Sequence, residues 1–244
     1  MRYWGKNIEI DGSFYKTEMG KSLLPTPAEM DGFKKAGNFF QLEGDAEVYE
    51  VTVQNMMRDI EENQIGKLLI RGLDNSPRKL RIIPITSKEQ SVLKKGPCAI
   101  PVGNYDPKGN ECVIWFEPWS RMPSLLGGGG GSPYQVLVHE LQHAVRQMRG
   151  KWFVGGATPV GVFPNAEEMF SVTIENMYLS AARQPHLMLG AYDPNVPLGD
   201  RTDKDFYKQY SRELKVWCKD LPDVSDKMNK IPGIWNPIRV HKYG

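Results

Sequence analysis

One stretch of this chain, SPYQVLVHELQHAVRQMRG at 132–150, admits a single kind of local structure. Ser132 suits an N-cap, whose hydroxyl accepts from backbone N–H groups at the start of a helix, and Pro133 has the fixed φ that the first helical position wants. Gln135 stands where a capping box places Glu or Gln, and Gly150 can take the left-handed conformation that ends a helix after Arg149. Between those limits Leu137, Leu141, Ala144, Val145 and Met148 form an apolar stripe, with His139 and His143 one turn apart on the other side. The spacing is His-Glu-x-x-His, which lets both imidazoles reach one metal ion without pulling the helix off its core. Glu140 is rotated by about 100° from His139, near such an ion but not obliged to bind it. A carboxylate there can take a proton from metal-bound water and pass it on. Five glycines, Gly127 to Gly131, precede the helix and read as a connector or a hinge, so order is expected to begin at Ser132.

The rest of the chain narrows the setting. Its 244 residues allow one well-filled domain, and no shift in composition divides them. With 40% hydrophobic residues, six Trp, ten Tyr and nine Phe, a disordered or fibrous class is excluded. A net charge of +2 gives no electrostatic footprint for nucleic acid or a membrane surface. No apolar run approaches the roughly 18 residues of a spanning helix, and MRYWGKNIEIDG lacks the apolar core of a signal peptide. The three cysteines, Cys98, Cys112 and Cys218, are too few and too scattered for a disulfide framework or a zinc knuckle, and read as buried free thiols.

Patterning along the chain predicts an α+β fold. NIEIDGSFYK at 7–16 reads as a hairpin about Asp11-Gly12, and residues 45–64 as a helix closed by Gly66. KLLIRGL and RKLRIIPI, flanking a turn from Asp74 to Pro77, read as a second hairpin, and ECVIWFEP at 111–118 as a further strand. Helices follow at 165–183 and, on the stripe Phe206, Tyr210, Leu214 and Trp217, at 203–221. The expected domain has a strand-rich part at 1–126, metal-binding helices at 132–183, and a loop with a final helix at 184–244. Other signatures fail: MGKS at 19–22 lacks the first glycine of a phosphate loop, and no Gly-x-Ser-x-Gly elbow occurs.

A catalytic zinc site takes three protein ligands and leaves one position open. His186 and His241 are the only other histidines, and neither lies close downstream of the motif. The stretch NAEEMFSVTIENMY at 165–178 is the better source. Phe170, Ile174, Met177 and Ala181 line one side of its helix, with Glu168 and Glu175 opposite and Glu167 at the edge of the stripe. Glu168 is the favoured third ligand, with Glu175 placed to hydrogen-bond a ligating imidazole, and Glu167 or Glu175 as the alternative ligands.

LVHELQHA followed by NAEEMFSVTIEN resembles a family of zinc-dependent bacterial effector proteases typified by the type III secreted effector NleD. It is also similar in signature to the light chains of clostridial neurotoxins. The likeness covers about 133–178. It implies a zincin-like domain, a sheet packed on an active-site helix, with His139, His143 and Glu168 holding Zn2+ and Glu140 as catalytic base. It further implies a secreted, monomeric endopeptidase without a classical signal peptide. Such an enzyme would act in host cytoplasm on a protein, with protein kinases among the substrates of relatives. Those toxins also use an Arg and a Tyr downstream, for which Arg183, Tyr192, Arg201, Tyr207 and Tyr210 are candidates here. CVIWF reads either as an edge strand able to align a peptide or as an ordinary core strand. A bacterial metallopeptidase acting on a regulator and a zinc-bound binding module without turnover are the alternative readings.

Overall fold

The computed structural model describes residues 1–13, 45–85, 98–102, 104–119, 132–152, 158–193 and 195–243. The glycine run and the MGKS stretch lie outside the described residues. A five-stranded mixed sheet forms in the order β1-β2-β3-β5-β4: β1 (Arg2–Trp4), β2 (Ile8–Ile10), β3 (Leu80–Pro84), β4 (Cys98–Pro101) and β5 (Cys112–Phe116). β2, β3 and β5 run parallel, while β1 and β4 pair antiparallel at the two ends. The described helices are α1 (Ala46–Glu62), α2 (Gln64–Asp74), α3 (Pro133–Met148), α4 (Ala166–Ala181), α5 (Asp203–Asp220), α6 (Pro222–Met228) and α7 (Pro237–Tyr243). The chain is thus α+β and mostly helical, with its sheet in the first half.

Two sequence expectations fall here. The N-terminal hairpin turns at Gly5 to Asn7, not at Asp11-Gly12. Gly5 has a φ of +62°, and the Asp74 carboxylate accepts from Lys6 N and Asn7 N at 2.8 and 3.1 Å. Gly12 instead lets the chain pass close to α1, where its N–H donates to Glu50 at 2.9 Å and a Cβ would lie 2.3 Å from the Ala46 carbonyl. KLLIRGL is not a strand but the body of α2. The Asn63 backbone N–H closes α1 onto Ile60 O while its side chain accepts from Ile65 N and Gly66 N, and Ile65, Leu69, Ile70 and Leu73 then bury one helical face. A short apolar run fits either period, and the cap decides it.

The sheet alternates as a half-covered sheet should. Ile8, Ile10, Leu80, Ile82, Ile114 and Phe116 are buried in the main core, while Arg81 points away and pairs with Glu9. α3 packs on β4 and β5 with one side and on α4 and α2 with the others. Its expected ends are as drawn from the sequence: a capping box between Ser132 and Gln135, Pro133 in the first turn and Gly150 at φ +63°. Burial exceeds the expected single stripe, since every residue from Gln135 to Met148 is buried. α4 is likewise enclosed on nearly all sides, and the polar faces of these two helices therefore meet each other out of water.

Candidate metal centre

α3 and α4 lie side by side and bring His139, His143 and Glu168 to one point. His139 Nε2 is 3.0 Å from Glu168 Oε2 and 3.2 Å from His143 Nε2, and His143 Nε2 is 3.4 Å from the same oxygen. Ligands about 2.0–2.1 Å from a tetrahedral zinc stand about 3.3 Å from one another, so the triangle has the size such an ion requires. Its chemistry agrees. Three such atoms turned on each other call for a proton or a metal ion among them, and two imidazoles with one carboxylate form a donor set suited to a divalent metal. These residues could hold a metal ion.

The neighbours of each ligand are specific. Behind His139, Glu175 Oε2 lies 3.4 Å from Nδ1 and is fully buried. The Ser171 hydroxyl lies 3.3 Å from both ring nitrogens of His143, and the Trp152 ring meets that imidazole edge-on at 5.4 Å. Ser171, three residues after Glu168, shares its helix face, a periodicity readable in the sequence but not used there. Glu167 turns away, accepting from Arg146 Nε at 2.9 Å with both oxygens. That pairing separates Glu167 from the ligand group.

Glu140 lies outside the triangle. Its Oε2 accepts from the backbone N–H of Ala99 on β4 at 2.7 Å. Burial pushes its pKa up, while His143, His139 and the Ala99 amide pull it partly back. β5 is an interior strand, and β4 is the edge strand beside the centre. Along β4 the main-chain groups of Ala99 and Pro101 face outward, because Val102 N bonds to Glu111 on the β5 side and the pattern alternates. Both Ala99 groups are taken, the N–H by Glu140 and the carbonyl by Gln147 Nε2 at 2.9 Å, and Pro101 has no N–H. An added strand finds no outward donor there.

Of the downstream candidates, only Tyr192 reaches the centre, its ring 6.3 Å from that of His139. Burial, Glu168 and Glu140 hold its hydroxyl well above the ordinary tyrosine range, so it stays a donor. Asn176 fixes the segment leading to it, donating to Leu189 O and accepting from Leu189 N, both at 2.7 Å. Tyr210 is buried against Phe163 and Phe206, Arg201 lies over Phe206, Tyr207 meets His241, and Arg183 sits exposed in the turn after α4. His186 is exposed in a short 3-10 turn. None of the three cysteines forms a disulfide; Cys112 is buried and Cys98 and Cys218 are half-buried.

Electrostatics ask for a positive charge at this point. Burial disfavours a charged His139, but hydrogen bonds to Glu168 and Glu175 and the nearby carboxylates outweigh it and push the ring up to about 10. Burial also acts to raise Glu168, and the two imidazoles outweigh it, holding that carboxyl well below its usual range. The raised His139 value lies above the unfolded value of about 6.5. Its contribution to the metal-free fold is therefore complete below about pH 6.5 and lost as pH rises through about 10. Since a metal must displace that proton, metal uptake at pH 8 is expected to release about one proton. Calorimetric titrations in buffers of different ionisation heat measure it, and identical heats in all buffers would remove His139 from the ligand set.

No protein-family model matches this chain, and no curated protein matches it.

Proposed function

We propose that the protein is a zinc-dependent endopeptidase in which His139, His143 and Glu168 hold the metal and Glu140 is the general base. The observation that carries the reading is the 3.0–3.4 Å triangle of ligand atoms with a second, separately anchored carboxylate beside it. When bound, zinc supplies a Lewis acid for the scissile carbonyl and lowers the pKa of bound water to about 7. The Ala99 amide binds one oxygen of Glu140, and the other takes the water proton and returns it to the departing amine. The raised pKa of Glu140 suits a group that must both accept and give a proton. Tyr192 donates to the oxyanion. Because Ala99 and Pro101 offer an added strand no free N–H, substrate positioning along this part of the edge falls to side chains.

The resemblance of LVHELQHA and NAEEMFSVTIEN supports the wider reading. The enzyme is a secreted effector, its substrate a host intracellular protein of the kinase class, and its place of action the host cytoplasm. Mapping of new protein N-termini in host-cell lysate tests both levels. Wild type is expected to create termini that Glu140→Gln does not, and identical maps would remove the protease reading. Zinc below about half an equivalent in gently purified protein would remove the metal. Tyr192→Phe is expected to lower kcat by about a hundredfold, the scale for one oxyanion donor, with zinc affinity unchanged. A kcat within threefold of wild type would exclude Tyr192 from the reaction.

A further inference from the structure

We infer that Gln135 is a positioning residue for the metal centre, joining the cap of α3 to the ring of His139 through Glu175. The inference rests on the metal reading of this site. Gln135 is 2% exposed and makes two contacts of fixed polarity. Its Oε1 accepts from Ser132 N at 3.1 Å, and its Nε2 donates to Glu175 Oε1 at 3.2 Å. Glu175 Oε2 then meets His139 Nδ1 at 3.4 Å.

The polarity is set from one end. A backbone N–H can only donate, so the side-chain oxygen of Gln135 must face Ser132 and its NH2 must face Glu175. Glu175 thereby receives a donor on one oxygen and is an acceptor on the other toward Nδ1. His139 then carries its proton on Nδ1 and turns the Nε2 lone pair to the metal side, the tautomer a ligand needs. A capping box normally ends its work at the helix terminus. Here the same amide also reaches 40 residues along the chain, where Glu175 lies behind the first ligand.

Four variants of the full chain, measured by competition for zinc with a chelator and by thermal unfolding of the metal-free proteins, separate this role from simple capping. Gln135→Glu keeps a good cap but sets an acceptor against Glu175, and is expected to weaken zinc binding about 10–100-fold. Glu175→Gln is expected to lose as much. The reciprocal pair, Gln135→Glu with Glu175→Gln, restores the polarity. The new carboxylate at 135 accepts from the new amide at 175, whose oxygen accepts from Nδ1. Its zinc affinity is expected within about fivefold of wild type. Ser132→Ala removes the other half of the cap, and should lower the unfolding temperature with affinity within about twofold.

Wild type that fails to bind zinc overturns the metal reading, and the inference with it. If wild type binds and Gln135→Glu stays within twofold of it, the inference alone is overturned. The same holds if Ser132→Ala costs as much affinity as Gln135→Glu. Should Gln135→Glu not fold, the reciprocal pair decides: recovery supports the relay, and an affinity no better than that of Glu175→Gln overturns it.

Discussion

Glu140→Gln is expected to lower kcat/KM for peptide hydrolysis by about 10²–10⁴-fold, the range for loss of a positioned general base, while the protein keeps its zinc. The two outcomes belong together because Glu140 stands outside the ligand triangle, on α3 but turned to β4. The new amide keeps an oxygen for the Ala99 N–H, so the local structure survives and only proton transfer is removed. Metal content and rate measured on the same preparation check it. A variant that lost its zinc would make Glu140 a ligand, and one that kept its rate would assign the base elsewhere.

The second large effect concerns Arg146. Its side chain is wholly buried, and Nε donates to Glu167 at 2.9 Å. Nη2 reaches Lys151 O at 2.6 Å and Asp220 at 3.1 Å, and the guanidinium lies 4.7 Å from the centre of the Phe170 ring. Arg146→Met leaves Glu167 charged and buried, which is expected to destabilise the fold by about 3–5 kcal/mol. For a domain of this size that is roughly 6–20 °C in unfolding temperature. Adding Glu167→Leu removes the buried carboxylate as well and should recover most of the loss. If the double variant is no more stable than the single, the network is holding something other than charge. Glu167 adjoins Glu168, so the single variant should also weaken zinc binding, by letting the start of α4 shift.

The metal-motif helix was legible because everything that defines it is local: a cap, a proline, a terminal glycine and a period lie within 19 consecutive residues. α5 was legible for the same reason, from Phe206, Tyr210, Leu214 and Trp217, all buried as drawn. α2 was misread because its apolar run is too short for the period to declare itself, and Asn63 was not recognised as a cap shared by two helices. β4 went unread: Cys98–Pro101 is four residues without alternation, and becomes a strand only by lying against β5. The same limit governed the third ligand. The helical period favours Glu168 and sets Glu167 at the edge of the apolar stripe, but leaves Glu167 and Glu175 as alternatives, and what separates the three comes from α3. Arg146 takes Glu167, the Nδ1 side of His139 takes Glu175, and Glu168 meets both Nε2 atoms. Those pairings are made across helices, where no local pattern records them.

The closed outer side of β4 also bears on how copies of this protein meet. A terminal strand with vacant main-chain groups is a template on which another chain can grow a shared sheet, the usual beginning of ordered aggregation. Here Glu140 and Gln147 occupy Ala99, Pro101 offers no N–H, and the opposite terminal strand, β1, is three residues long and begins with Arg2. In concentrated solution, the Glu140 carboxylate that covers the Ala99 amide thus also serves as a guard against polymerisation.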